Sequence, residues 1–441
     1  MHAALSYRGL CRAGLIAATV AGLAAAGVAV AAAATAGSPP VPAAARQALA
    51  ANDGWASAGA GTTGGSAADD AHVFVVRTRD ELAAAVAGNT PKIVLLSGTI
   101  DANEGRGCDA YADPAYNLQD YLAAYDPAVW GRVAPSGPLE DARVRSAKNQ
   151  SLKVKIDVGA NTTIYGVRNA RLIGGNLLLT NVSNVIIRNV TFVDAHDCFP
   201  AWTPTDGDTG NWNSLYDNVT LSGSTNVWLD HNSFTDGDNQ DSGQPLYLGR
   251  PYQVHDGLAD IIKGSDYVTV SYNNMFEHDK SMLIGSTNTP GVDVGKLRVT
   301  LHHNRLANLG QRMPRVRFGQ VDVYNNYYYA TDEDTFVYAL GVGVQSAIYA
   351  ENNFVLRSAD TPLSAFVYNW GGTAMTEKGT LARVGTGPVV AVNLLAEYNA
   401  AYDPDIATDA GWTPSRRASL DPAADVPRIV TANAGANKLP A

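Results

Sequence analysis

Cysteine is scarce in this chain: three in 441 residues, at positions 11, 108 and 198. A framework of several disulfides is therefore out of reach, and one bridge is the most that Cys108 and Cys198 could supply once Cys11 is lost with a leader peptide. The eight histidines show no zinc spacing, so no transition metal is indicated. Charge is sparse too. Charged residues make up 17% of the chain and the balance is −10 at pH 7, which argues against nucleic acid as a partner. Past residue 36 no apolar run is long enough to cross a bilayer. Few two-residue turns of the Asn-Gly kind separate the strand-like segments, which weighs against an antiparallel sandwich.

What the chain does have is 46% hydrophobic residues, 42 glycines, and Asn and Asp throughout, a mix that suits many short strands joined by turns. Its first 36 residues place Arg8 and Arg12 before an uncharged run of Ala, Gly, Val and Leu that ends in small residues. This reads as a secretory signal peptide, with an uncleaved anchor as the alternative. Export favours pairing of Cys108 with Cys198, against two separate buried thiols. A Pro/Ala-rich linker is expected over 37–50 and a single domain over 51–441. Residues 396–441, rich in Pro and Asp and without strand repeats, are expected to wrap back over that domain.

Within the domain, "FVVRTRDELAAAVAG" reads as a strand and then a short helix. Thr78 and Glu81 form a capping box, and Leu82 and Val86 lie one turn apart on one face. Five later segments share the pattern V-x-φ-x-x-N and end at Asn232, Asn273, Asn304, Asn326 and Asn353, with Ile348 and Ala350 standing in the apolar places of the last. A looser copy, "NVIIRNVTF", precedes them at 184–192. The gaps of 41, 31, 22 and 27 residues between the asparagines exclude identical rungs. They fit the coils of an all-β, right-handed parallel β-helix with long loops on one face. Alternate apolar residues would stack inward, and each Asn could bond its counterparts one coil above and below. The early helix would cap the open end of the stack.

Two groups of charges could carry chemistry. Asp217 lies in "NWNSLYDNVTL", just ahead of an expected strand at 219–221. Asp256 and Asp260 lie in "HDGLAD", ahead of an expected strand at 267–270. Carboxylates brought together on neighbouring coils, about 4.8 Å apart, repel one another unless a cation sits between them. Hard oxygen donors without His or Cys suit Ca²⁺. Each Asp taken singly has a plainer reading as a loop cap. Cations follow one or two coils later: Lys280 in "FEHDKSMLIGS", then Arg312, Arg315 and Arg317 in "QRMPRVRFGQ". A calcium cluster beside such a cluster makes a groove for a polymer with regularly spaced carboxylates. The aromatics Trp202, Trp212 and Tyr252 could line that groove or belong to packing.

The motifs "GNWNSLYDN", "VWLDHNSFTDG", "GRPYQVHDG", "SYNNMFEHDKSMLIGS", "LHHNR" and "QRMPRVRFGQVDVYNNYY" occur in one order. Together they closely resemble the bacterial, extracellular pectate lyases of polysaccharide lyase family 1, from about residue 51 to near the end. The resemblance implies a right-handed parallel β-helix that cleaves de-esterified polygalacturonate by calcium-dependent β-elimination. By motif, Asp217, Asp256 and Asp260 match the primary calcium ligands, and Arg312 matches the catalytic base. Lys280 and Arg317 match residues that bind substrate carboxylates. Asp206 falls where family members hold additional calcium when substrate is present. Asp230, His231, His302 and His303 are read as structural. A secreted monomer, with no lasting membrane association, is the expected state. An arginine acting as base conflicts with the rule that guanidinium stays protonated; neighbouring positive charge and loss of water both favour its neutral form. An alkaline optimum is the corollary. The competing readings are a pectin lyase acting on methyl-esterified polymer, a β-helical hydrolase with paired carboxylates, and a non-catalytic calcium-dependent binding module.

Overall fold

The computed structural model describes residues 41–332 and 335–439. The signal peptide expected over 1–36 and the first residues of the expected linker lie outside the described residues. Each turn of the chain lays strands on parallel ladders, giving the right-handed parallel β-helix anticipated above. One ladder runs through Ser183–Arg188, Thr225–Asp230, Asp266–Ser271, Arg298–His302, Gln320–Tyr324, Ala347–Glu351 and Met375–Lys378. A second, which carries the charged face, runs through Asn176–Thr180, Val219–Ser222, Ala259–Ile262, Leu283–Ile284, Arg315–Val316, Leu340–Gly343 and Val367–Trp370.

Register follows from the V-x-φ pattern. Val185, Val227, Val268, Val299, Val321, Ile348 and Met375 stand one above another, each fully buried. A one-residue slip would turn that whole column to solvent, so the apolar alternation holds the coils in place. At the bend beside it the five asparagines form a continuous ladder. The side-chain amides of the first four donate to the next Asn Oδ1 at 2.9–3.2 Å. All five also donate to a carbonyl of the coil before at 2.8–3.0 Å. The residues just before them, His231, Tyr272, His303, Asn325 and Asn352, all take φ between 50° and 56°. Tyr and His rarely accept that left-handed conformation; here the ladder that follows holds the bend. The looser copy lacks an Asn at this level, and Val190 N donates to Asn232 Oδ1 instead.

Both ends of the stack are covered. The capping box at Thr78 and Glu81 forms as expected, and the helix Arg79–Ala85 lays Leu82, with Val86 just beyond it, on the first coil. At the other end Glu377 sits in register with Ala350, at the end of the second apolar column, and accepts from Leu394 N at 2.7 Å. That contact starts the helix Leu394–Ala401, whose Leu394, Leu395 and Tyr398 close the core.

Three features extend the expected plan. Residues 102–154 hold the helices Leu118–Ala124, Pro127–Trp130 and Pro138–Val154, an insertion with no strand signal. Cys108 and Cys198 are bonded, tying that insertion to the coil that follows Thr191–Val193. Residues 41–50, expected to be linker, are instead docked on the coils: Ala45 is buried with Ile93, Leu95 and Tyr165, and Arg46 Nη1 donates to Ala68 O at 2.7 Å. Residues 402–439 run back across the coils. Trp412 bonds Ala347, Arg417 pairs with Asp322 and Glu351, Asp421 N donates to Asn325, and Asn437 N reaches Asn189.

Candidate active site

The charged residues converge because four coils enter the second ladder in step. Thr220 is in register with Asp260, and Ile261 with Ile284, which sets Leu283 beside Asp260; Leu283 in turn is in register with Arg315. Three residues upstream of each lie Asp217, Gly257, Lys280 and Arg312. The same hydrogen-bonded stacking continues there: Gly257 bridges Lys280, Asn218 N donates to Gly257 O, and Met282 N donates to Arg312 O. The acids and cations thus occupy two adjacent columns of one face. Asp260 precedes the strand Asp266–Ser271, as expected, and itself lies inside the strand Ala259–Ile262, alongside 219–222.

Asp217 and Asp260 are buried, and their Oδ1 atoms face each other across Gly257. A Cβ on Gly257 would stand 2.6 Å from Asp260 Oδ1 and 2.8 Å from Asp217 Oδ1, so only glycine leaves this space open. Asp217 accepts from Thr220 Oγ1 at 2.5 Å and Gly257 N at 2.8 Å; Asp260 accepts from Leu283 N at 2.9 Å. These bonds do not balance the charge. Burial, then the Asp256 carboxylate, pushes Asp217 up to about 7. Burial, then Asp217 and Asp256, pushes Asp260 well above the carboxylate range. Asp256 is half-buried on the outer side, its Oδ1 3.8 Å from Lys280 Nζ.

On the cationic side Lys280 is buried along its stem, with Nζ 3.4 Å from Gln253 Oε1. Arg312 takes φ 63°, outside the range that side chains other than Gly, Asn and Asp readily adopt. Its Nε and that of Arg315 are buried without a hydrogen-bond partner among the described residues. Arg315 stacks on Trp370, its guanidinium carbon 3.8 Å from the ring centre, and burial followed by Arg317 brings it down to about 10. Arg317 is also lowered, by burial and then by Arg312, and is anchored to Asn288 Oδ1 at 2.7 Å and Gly285 O at 2.8 Å. Strained backbone and unsatisfied guanidinium nitrogens concentrated on one face mark a place built for something other than stability.

The remaining candidates fall elsewhere. Asp206 is exposed in the turn between Ala201–Thr203 and Asn211–Asn213, and its side chain forms no hydrogen bond or ion pair among the described residues. Trp202, Trp212 and Tyr252 are buried against one another and against the inserted helices, so they belong to packing. Asp230 is paired with Arg188 inside the wall, while His231 and His303 stack on either side of Tyr272. Cys108 Sγ, His196 Nε2 and Cys198 Sγ also lie close together, but the disulfide already uses both sulfurs. Several site residues escape a reading of the sequence. Gly257 had a signal within "HDGLAD". Gln253 and Asp279, joined at 2.8 Å, and Tyr338, packed against Arg312 and Arg315, had none, because their roles arise from stacking.

A coil stack with crowded buried carboxylates next to clustered guanidinium groups describes a parallel β-helix with one face built for a charged ligand. Comparison narrows this. The pectate lyase family profile matches residues 13–118 and 135–393. The chain is 47% identical to pectate lyase of Bacillus subtilis (strain 168) over 89% of this chain and 94% of that one. It is 33% identical to pectate lyase D of Dickeya chrysanthemi over 75% and 78%. Among solved structures, a thermostable pectate lyase matches with a TM-score of 0.87 at 45% identity, over 90% of this chain and 99% of that one. A pectate lyase bound to hexasaccharide matches with 0.84 at 44%, over the same shares. The chain belongs to the pectate lyase family and is a polysaccharide lyase.

Proposed function

We propose that this chain cleaves de-esterified polygalacturonate by calcium-dependent β-elimination, leaving 4,5-unsaturated ends. The observation that carries the reading is the pair of columns: Asp256 and Asp260 one coil from Lys280 and two from Arg312, with Asp217 one coil further out.

The acidic end of these columns fits calcium. Its donors are oxygens, Gly257 keeps the space between two of them clear, and burial followed by the neighbouring carboxylates raises both buried acids above their usual range, a crowding that a cation would relieve. Asp217, Asp256 and Asp260 would hold the ion, and Asp206 is proposed to join in holding further calcium once substrate is bound. Calcium bound there supplies positive charge that stabilises the carboxylate-conjugated anion formed at C5. Lys280 and Arg317 pair with substrate carboxylates, Arg317 with its guanidinium already oriented by Asn288 and Gly285. A neutral Arg312 guanidine takes the C5 proton; the C4–O4 bond then breaks, the C4–C5 double bond forms, and O4 leaves with a proton from water. Burial and mutual charge lower the neighbouring Arg315 and Arg317, and turnover is expected to rise toward alkaline pH. Export through residues 1–36, with action as an extracellular monomer, completes the proposal; among the described residues no helix is long and apolar enough to cross a membrane.

One assay tests the reading: ultraviolet absorbance of polygalacturonate incubated with the protein, with calcium and with EGTA. A rise that needs calcium is expected. A rise undiminished by EGTA, or one seen only on methyl-esterified polymer, points to pectin lyase; saturated ends point to hydrolysis; calcium-dependent binding without product points to an adhesion module.

A further inference from the structure

We infer that His278, held by Asp236, is a positioning residue that sets the calcium-ligand loop and Lys280 in register; the inference rests on the calcium-dependent elimination proposed above. His278 lies on the strand Asn274–Lys280, below the active face and buried, as is Asp236. One ring nitrogen, Nδ1, meets both oxygens of Asp236 at 2.8 and 2.9 Å. The other, Nε2, lies 3.1 Å from the carbonyl of Asp256 and 3.0 Å from that of Lys280. Every one of these partners is an acceptor, so both ring nitrogens donate and the imidazole is fixed in one orientation.

This bond set joins two coils at the point where the site needs them joined. Asp256 is half-exposed, and among the described residues the one ion-pair contact of its carboxylate is that to Lys280 at 3.8 Å. Its backbone carbonyl is therefore the firm handle on the loop, and His278 grips it together with Lys280 O. Gly257, next to Asp256, bridges Lys280 on the same two coils. Behind His278 the anchorage continues: His255, the residue before Asp256, bonds Asp241 Oδ1 at 3.1 Å and Asp194 Oδ1 at 3.0 Å. Three buried or half-buried acids and two histidines thus hold Asp256 from below through its backbone and its chain neighbour, leaving its carboxylate free. A histidine serving only to fill the core would not need both of its bonds to land on carbonyls of site residues.

The test uses two variants of the full chain. His278→Gln can place an amide donor near the former Nε2, toward the two carbonyls, while losing Asp236. His278→Asn can reach only Asp236. Calorimetric titration with Ca²⁺ alone, the calcium dependence of elimination, and melting in EDTA are read for each. His278→Asn is expected to weaken calcium binding by about tenfold or more and to lower kcat, with His278→Gln restoring most of the loss. Both variants are expected to melt alike in EDTA. Unchanged calcium affinity in His278→Asn, or equal losses in the two variants, overturns the inference. If neither variant folds, Asp236→Asn decides by the same titration: weakened calcium binding supports the inference, unchanged affinity overturns it. A wild-type protein that shows no calcium-dependent elimination fails the underlying reading instead, a result visible before any variant is made.

Discussion

Two columns of polar side chains climb this helix at one-coil spacing, and they solve the same problem in opposite ways. In the Asn ladder each side chain carries both a donor and an acceptor, so identical neighbours satisfy one another and the repeat extends from Asn232 to Asn353. In the Asp217–Gly257–Lys280–Arg312 column and its neighbour, stacking brings like charges together. Carboxylates only accept and guanidinium groups only donate, so neither set can satisfy itself. Burial and mutual repulsion then raise Asp217 and Asp260 and lower Arg315 and Arg317. One column is stabilised by repetition. The other holds its energy in reserve for a ligand of complementary charge.

The largest effect expected comes from breaking the charged column. Arg312→Lys keeps the positive charge but not the guanidine, and should cut kcat by about 10²- to 10⁴-fold while melting stays near wild type. Single-turnover kinetics on polygalacturonate, beside a thermal melt, check this. The corresponding break in the neutral column has the reverse profile. Asn304→Ala leaves Val270 O without its donor and removes the acceptor of Asn273, and should cost about 2–4 kcal/mol in denaturant unfolding. Calcium dependence should be unmoved.

A subtler change sharpens the contrast through pH. Asp260 has a folded-state pKa raised above that of the unfolded chain, so ionising it disfavours the fold. Without metal, stability is therefore greatest at low pH as far as this group is concerned. It falls as pH rises out of the ordinary carboxylate range and through the raised value. Asp260→Asn keeps an acceptor for Leu283 N and removes the charge. It should raise the EDTA melting temperature at pH 8 by about 2–5 °C, flatten its fall with pH, and lose calcium binding. A change outside both columns sets the scale. Thr78→Ala removes one side of the capping box and should cost about 1 kcal/mol, with turnover unchanged.

The V-x-φ-x-x-N segments made the coils legible, since period-2 alternation has one inward face and an Asn at each bend has few other reasons to recur. The end cap was legible for a local reason, a capping box within four residues. Asp217, Asp260, Lys280 and Arg312 were found through motifs, yet their register was not. Asp260 reads as lying ahead of a strand at 267–270, and it does; that it also stands in a strand of its own, beside Thr220, is not legible, because gaps of 22 to 41 residues hide which strand stacks on which. The helical insertion over 102–154 and the docking of residues 41–50 left no periodic trace, being held by aromatic contacts and by single bonds to distant coils. His278 stood in view within "FEHDKS", but its partners Asp236 and Asp256 lie 42 and 22 residues away.

Side-chain chemistry within a few residues thus settled which segments are strands, where the core faces, and which charged groups were candidates for a site. Which of those groups meet one another depended on how far each loop lets the next coil slide, a matter of long-range packing and backbone bonding. For that reason the crowding at Gly257, the unsatisfied nitrogens of Arg312 and Arg315, and the support beneath Asp256 belong to the assembled coils and to no single stretch of sequence.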